Sequence, residues 1–315
     1  MWLNGTSELI AKLRTRGAKT VALQFPEGLK RKAAETAAAL REAGFEVIVS
    51  GDACYGACDL ALGMLDYADV LVHFGHAPVD KRPAVICEPY SVGFDLAVLD
   101  NAIPCLKGTT TGLVTTVQHA HLIPAMEAFL KARGIAVEVA EAGGRTPLRG
   151  QVLGCSFEAA KIPGAETILF VGTGRFHAIG ISLAAKKRVI ALDPLAGTVE
   201  EVTGEALLRR RFAVMEKARG AKTVGIIVSS KSGQNRIGLA RRLAALAPNT
   251  ALVMMCEVSP GELLNLGFGA YVNTACPRLA FDDQVRFPVP VLSPQEFEIV
   301  CGTRSWDEYA IDEIP

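Results

Sequence analysis

Ala68-Asp69-Val70-Leu71-Val72-His73-Phe74-Gly75 and Ala165-Glu166-Thr167-Ile168-Leu169-Phe170-Val171-Gly172 read as two copies of one stretch. A shift of 97 positions lays Ala68 on Ala165, Asp69 on Glu166, Val72 on Leu169 and Gly75 on Gly172. The same shift lays Cys58 on Cys155, so each cysteine stands 17 positions before the glycine that closes its apolar run. A short apolar, β-branched run bounded by such a glycine reads as a buried strand. A stretch that recurs together with its surroundings marks a repeated structural unit.

The surroundings do recur. In the first unit Thr20–Phe25 reads as a strand, Leu29–Ala43 as an alanine-rich helix stopped by Gly44, and Glu46–Ser50 as a second strand. The Cys58 loop and a short helix follow, then strands Asp69–Phe74 and Ala84–Cys87, the last closed by Glu88-Pro89. The second unit repeats this order: strand Gly112–Val117, helix His121–Arg133, strand Ala136–Ala140, the Cys155 loop, strand Thr167–Val171, helix Ile179–Lys187 and strand Arg188–Leu192, closed by Asp193-Pro194. A third unit has strands Thr223–Ser229, Ala251–Met255, Ala270–Thr274 and Val289–Leu292, with a helix over Ile237–Leu246. Its cysteine, Cys276, follows the third strand directly, on a Cys-Pro-Arg turn. Alternating strands and helices call for parallel sheets with right-handed crossovers, and ligands bind beyond the strands' carboxyl ends. The expected fold is α/β, with three tandem similar domains over 1–107, 108–207 and 208–315, each a small parallel sheet flanked by helices.

Composition narrows the function. Half of the 315 residues are hydrophobic, enough for several cores, and 33 basic residues balance 33 acidic ones. That balance gives no support for a sequence-independent nucleic-acid binder. The tight basic run Arg209-Arg210-Arg211 reads as a solvated helix face rather than a phosphate site. No apolar stretch reaches the ~18–20 residues of a membrane span, and Met1-Trp2-Leu3-Asn4-Gly5 lacks the pattern of a signal peptide. A cytoplasmic location is expected, where eight cysteines serve metal or redox roles sooner than disulfides.

The eight cysteines differ in setting. Cys87 and Cys256 end apolar strands and read as small buried hydrophobes, and Cys105 and Cys301 have no partner spacing. Cys54 and Cys58 form a C-x3-C pair, but no second pair completes a four-ligand zinc site. Cys58, Cys155 and Cys276 each sit in a loop beside glycine or proline. Three thiolates, one from each unit, with a vacant fourth position would suit a site-differentiated iron–sulfur cluster. Gly172-Thr173-Gly174 is a glycine turn at a helix start, able to take an anion or simply to turn the chain. Lys231-Ser232-Gly233-Gln234 is a donor-rich loop at a strand end, without the spacing of a P-loop. His119 and His121 read as hydrogen-bonding residues, and no nucleophile-elbow serine occurs.

Tyr55-Gly56-Ala57-Cys58-Asp59, Gly150-Gln151-Val152-Leu153-Gly154-Cys155 and Ala275-Cys276-Pro277-Arg278, in this order, resemble the archaeal diphthamide-synthesis enzymes, a family of 3-amino-3-carboxypropyltransferases. Phe25-Pro26-Glu27-Gly28-Leu29, Thr115-Thr116-Val117-Gln118-His119 and Leu192-Asp193-Pro194 look like further family segments. The resemblance implies three α/β domains around a pseudo-threefold axis in a homodimer. It implies a 4Fe–4S cluster on Cys58, Cys155 and Cys276, with the fourth iron open to S-adenosylmethionine. An external electron donor would reduce the cluster, and an electron passed to the sulfonium would break its bond to Cγ. The resulting 3-amino-3-carboxypropyl radical would add to C2 of a histidine of elongation factor 2, leaving 5′-methylthioadenosine. Cys54 would then be a bystander, or a substitute ligand in a Cys58 mutant. By position, Lys231, Ser232, Gly233, Gln234, Gly172, Thr173, Gly174 and Arg278 are candidates to contact S-adenosylmethionine.

Two other readings stay open on sequence alone. Quinolinate synthase also has three α/β domains and a three-cysteine cluster, but it performs a condensation and dehydration without S-adenosylmethionine. A non-enzymatic metal-binding protein would close its site with four ligands.

Overall fold

Every residue of the stretch Val70–Gly75 is buried, as a central parallel strand requires. In the computed structural model, which describes residues 5–314, this strand belongs to the first of three sheets. The first sheet holds β1 (Thr20–Gln24), β2 (Glu46–Val49), β3 (Val70–Gly75) and β4 (Val85–Pro89). The second holds β5 (Thr111–Thr115), β6 (Val137–Glu138), β7 (Thr167–Val171), β8 (Arg188–Leu192) and β9 (Val199–Val202). The third holds β10 (Val224–Ser229), β11 (Thr250–Met255), β12 (Ala270–Asn273) and β13 (Val291–Leu292). Spatial order is β2-β1-β3-β4, then β6-β5-β7-β8-β9, then β11-β10-β12-β13. The first four strands of each unit thus repeat one topology, with the unit's opening strand between its second and third. The fold is the expected α/β arrangement of three small parallel sheets.

Helices cover the sheets: α1 (Gly5–Thr15), α2 (Ala33–Glu42), α3 (Ile123–Lys131), α4 (Arg175–Ala185), α5 (Glu205–Arg219), α6 (Ile237–Ala244), α7 (Pro260–Leu266), α8 (Arg278–Phe281) and α9 (Pro294–Val300). Among the described residues no helix is long and apolar enough to cross a membrane. Several boundaries differ from expectation. The helix expected over Leu29–Ala43 opens as a 3-10 turn, Glu27–Lys32, before α2 begins. The helix expected at Ile179 starts four residues earlier, directly at the Gly174 turn. The strand β9, Val-Glu-Glu-Val, is an unexpected antiparallel edge on β8.

Two readings of single residues are corrected. Arg211 is not part of a solvated face: it is 1% exposed and pairs with the fully buried Glu296. A helix that crosses from one unit to the next must bury more than one face, and α5 does so. Leu207 joins the second unit's core, while Met215 and Ala218 join the third's. The expected division at 207/208 falls inside this helix. Cys256, expected as a buried hydrophobe, is exposed, because it follows the edge strand β11, where Leu252 and Met254 are exposed too.

Two histidines, His73 fully buried and His177 half-buried, make stability pH-dependent. Burial, and then the neighbouring His76, hold His73 down to about 3. Burial and Arg278 hold His177 down to about 4. Both are neutral in the fold, while the unfolded chain binds protons below about 6.5. Their contribution is fully present above that value and is lost as pH falls toward 3–4, at about 1.4 kcal/mol per unit of difference. Urea midpoints at pH 7, 5.5 and 4.5 should fall in that order. The fall should be shallower in His73→Asn, and an equal slope would remove His73 from the account.

Candidate metal centre

Each of the three loop cysteines is placed by a different local device. Cys58 lies in a turn closed by Asp59 N–H donating to Gly56 O at 2.9 Å. From the end of β1, Gln24 holds this turn: its Nε2 donates to Asp59 O at 2.7 Å and its Oε1 accepts from Ala61 N at 3.1 Å. Because Gln24 Oε1 is thereby an acceptor, His73 Nδ1, 2.9 Å away, carries the proton. Cys155 sits at the tip of a turn in which Leu153 and Ser156 pair through both backbone bonds, at 2.9 and 3.2 Å. Gly154 is required there, since a Cβ would stand 2.7 Å from the Phe176 ring. Cys276 follows β12 in an Asx-type turn: Asn273 Oδ1 accepts from Ala275 N at 2.9 Å and Nδ2 donates to Cys276 O at 2.8 Å.

Arg236 locks the last of these loops. It donates to Thr274 O at 2.8 Å and to Ala275 O at 3.1 Å, and pairs with the buried Asp312. Ile314 N in turn donates to Cys155 O at 2.8 Å. The thiols converge: Cys155 and Cys276 both feel the charge of Cys58, and Cys276 also feels Cys155. Burial pushes the Cys155 thiol up to about 11 and Cys276 to about 12. Arg145 opposes the shift at Cys155 as a nearby positive charge and as a donor.

The loop Lys231–Gln234 packs directly on the Cys58 turn. Lys231 bridges Asp59, at 2.9 Å, and Glu257. Burial alone would lower its pKa, but the bonds to Glu257 and Asp59 outweigh it and hold it near 12. Gln234 Nε2 lies 3.2 Å from Cys58 Sγ. Gly233 O accepts from Arg145 Nη2 at 2.9 Å. A Cβ on Gly233 would stand 2.4 Å from Cys58 Cα, a backbone atom that cannot swing aside. Gly233→Ala should therefore displace the loop at a cost of about 1–3 kcal/mol. It should lower iron bound per chain after anaerobic reconstitution several-fold, and wild-type iron content would show that the loop does not shape the site.

The glycine turn lies elsewhere. Thr173, Gly174 and Arg278 line a separate cavity of about 370 Å3, together with Phe176, His177 and Arg210. Arg278 stacks over the Phe176 ring at 4.9 Å and pairs with Asp282 at 2.5 Å. The cavity adjoins the cysteine loops, because Arg278 is two residues beyond Cys276 and lies with Phe176 against Gly154. Gly172 closes β7 beside this cavity without lining it. Cys54 is 2% exposed in the Cys58 loop, its thiol raised to about 12 by burial. Cys87, Cys105 and Cys301 are half-buried on β4, on the 3-10 turn Ile103–Cys105 and at the end of α9. His119 bonds Val92 O through Nδ1 at 2.8 Å, in the hydrogen-bonding role expected of it.

Sequence reading missed Arg145, Asp59, Glu257, Arg236 and Asp312. The Gly143-Gly144 pair before Arg145 was the available signal, since it forms the tight turn that carries the guanidinium inward. The donor set can be tested for what it would hold. Among the described residues no three His, Cys, Asp or Glu side chains crowd closely enough around one point for a single ion. In a cubane each thiol meets a different iron, so converging but separate thiols fit. Arg145 Nε is buried with no hydrogen-bond partner among the described residues. The sulfides of such a cluster are acceptors that a buried N–H of this kind could use.

Comparison with known proteins agrees with this geometry. A family model described as "Putative diphthamide synthesis protein" matches residues 25–311. The 2-(3-amino-3-carboxypropyl)histidine synthase of Pyrococcus horikoshii is 38% identical over 98% of this chain and 92% of its own length. Subunit 1 of the human 2-(3-amino-3-carboxypropyl)histidine synthase is 30% identical, over 96% of this chain and 73% of its own. The crystal structure of Dph2 from Pyrococcus horikoshii with a 4Fe-4S cluster superposes with a TM-score of 0.92 at 38% identity, covering 98% of this chain and 93% of that one. With its three parallel sheets and its three converging cysteine loops, the chain belongs to the diphthamide synthesis protein family.

Proposed function

We propose that this chain is a 2-(3-amino-3-carboxypropyl)histidine synthase, the transferase of the first step of diphthamide formation. It moves the 3-amino-3-carboxypropyl group of S-adenosylmethionine to C2 of a histidine of elongation factor 2 and releases 5′-methylthioadenosine. The observation that carries this reading is the convergence of Cys58, Cys155 and Cys276 from three separate units, in a chain 38% identical to the Pyrococcus synthase. The three thiolates would hold a 4Fe–4S cluster and leave its fourth iron open. When bound, the cluster supplies the electron that opens the sulfonium–Cγ bond.

The chain's own residues set the stage for that step. Gln24 and Lys231 fix the Cys58 turn through Asp59, and Arg236 fixes the Cys276 turn. Of the residues expected to contact S-adenosylmethionine, Thr173, Gly174 and Arg278 share one cavity with Arg210. That cavity suits a methionyl carboxylate, because it offers guanidinium groups and the start of α4. Gly172 shapes the turn behind it. Lys231 and Gln234 are engaged with Asp59 and Cys58, and with Ser232 and Gly233 they form the loop that packs on the Cys58 turn. The three units are read as domains about a pseudo-threefold axis, and the protein as a cytoplasmic homodimer served by an external electron donor, without nucleic acid or membrane.

The test is anaerobic reconstitution with iron and sulfide, then dithionite and S-adenosylmethionine labelled in the aminocarboxypropyl group. Release of 5′-methylthioadenosine together with label on elongation factor 2 is expected. A reconstituted protein that releases no methylthioadenosine would be doing different chemistry, such as that of quinolinate synthase. A protein that closes on zinc with four ligands would be no radical enzyme.

A further inference from the structure

The two side-chain donors at the cysteines have a role of their own. Gln234 Nε2 lies 3.2 Å from Cys58 Sγ, and the Arg145 guanidinium approaches Cys155 while also holding Gly233 O at 2.9 Å. Both arrangements cross unit boundaries. Gln234 comes from the third unit to a cysteine of the first. Arg145 comes from the second unit and grips the loop that carries Gln234. Cys276 differs, since the donor that faces it is a backbone N–H, that of Arg278.

A thiolate bound to iron only accepts hydrogen bonds, so an amide facing it must present its NH2 side. Each donor aimed at such a sulfur stabilises negative charge there, and reduction of the cluster adds negative charge. Hydrogen bonds to cluster sulfurs are among the main determinants of reduction potential. A full positive charge in a half-buried setting adds to the same effect. Both donors therefore favour the reduced cluster.

We propose that Gln234 and Arg145 are positioning residues that set the reduction potential of the cluster, Gln234 through the sulfur of Cys58 and Arg145 through that of Cys155. Arg145 has the larger effect, because it also fixes the loop from which Gln234 donates. The inference rests on the reading that Cys58, Cys155 and Cys276 hold a 4Fe–4S cluster. Reduction must be easy enough for a cellular donor and the reduced cluster must remain strong enough for the sulfonium. These two donors set that balance through the sulfurs of Cys58 and Cys155.

The experiment is a redox titration followed by electron paramagnetic resonance, on anaerobically reconstituted full-length protein with no S-adenosylmethionine present. Wild type is compared with Gln234→Met, which keeps the length and removes the donor, and with Arg145→Lys and Arg145→Ala. Gln234→Met should move the reduction equilibrium about tenfold toward the oxidised form, about 59 mV more negative for one electron. Arg145→Ala should move it further, and Arg145→Lys less, since the charge remains. Iron content should stay at the wild-type level in Gln234→Met and Arg145→Lys. Wild-type potentials in these two variants would overturn the proposal. So would loss of iron without any shift in the clusters that remain, which would make both residues struts. A wild-type protein that takes up no cluster would instead sink the reading beneath it.

Discussion

Cys276→Ala and Cys155→Ala should each lose more than ~100-fold in methylthioadenosine release, beyond the 10–100-fold typical of losing an outer partner of a metal site. Each of these cysteines is the single cysteine of its own loop, so no thiol of that loop can take its place. Cys58→Ala should behave differently in one respect. Cys54 lies buried in the same loop and close enough to feel the charge of Cys58. This variant should therefore retain more iron per chain than the other two, and Cys54→Ala with Cys58→Ala should remove the excess. Cys54→Ala alone should stay near wild type in both iron and product. Iron assay and chromatography of the nucleoside products, on matched anaerobic preparations, give both readouts. Full activity in Cys155→Ala or in Cys276→Ala would exclude that cysteine as a ligand, and full activity in the Cys54→Ala, Cys58→Ala pair would exclude Cys58.

The second large effect concerns stability. Arg211 and Glu296 are 1% and 0% exposed and meet in two parallel bonds of 2.8 and 2.6 Å. Two further N–H groups of the guanidinium donate to Ala280 O at 2.6 Å and Val291 O at 2.7 Å. Glu296 further accepts from Ser293 N at 2.8 Å, as the capping box of α9, and from the Tyr309 hydroxyl at 3.0 Å. Glu296→Ala strands a buried cation and leaves Ser293 N–H without its capping-box partner, so it should cost about 3–5 kcal/mol. Replacing both partners, by Arg211→Met with Glu296→Leu, should cost less than Glu296→Ala. It removes both charges, yet leaves the two carbonyls and the tyrosine hydroxyl without partners. Urea unfolding read by Trp306, which packs against Phe212 at 5.5 Å and Tyr309 at 5.1 Å, reports on this unit. Placing the measurement in a Trp2→Phe background leaves Trp306 as the sole indole. A loss below 1 kcal/mol would mean that water reaches Arg211 in the variant.

Much of this architecture was legible in the chain. Central strands such as Thr167–Val171 and Arg188–Leu192 matched expectation to the residue, because burial on both faces writes an unbroken apolar run. Edge strands were less legible. Ala136–Ala140 was expected where only Val137–Glu138 pairs, and β9 was missed because Val-Glu-Glu-Val alternates too little to signal a strand. The first two cysteine loops could be read from their repeat, and the third from its place after a strand. The charged residues around the loops could not. Arg145 sits in a glycine-rich loop where a solvated side chain is the ordinary case, and Arg211 sits in a run of three arginines of which only it turns inward. Their partners, Gly233 and Glu296, lie 88 and 85 residues away, and no local pattern encodes that pairing.

The return of residues 311–314 to the second unit has a consequence for how the protein is made. Phe157 N donates to Glu313 at 2.7 Å across 156 residues of chain, Ile311 enters the second unit's core, and Ile314 caps the Cys155 carbonyl. At the usual ~5–20 residues per second of synthesis, the Cys155 loop waits ~8–30 s before its last supports emerge. Until then the turn lacks the bonds that Glu313 and Ile314 make to Phe157 N and Cys155 O. The Cys155 loop is therefore complete only after the segment 311–314 has been made and has folded back on it.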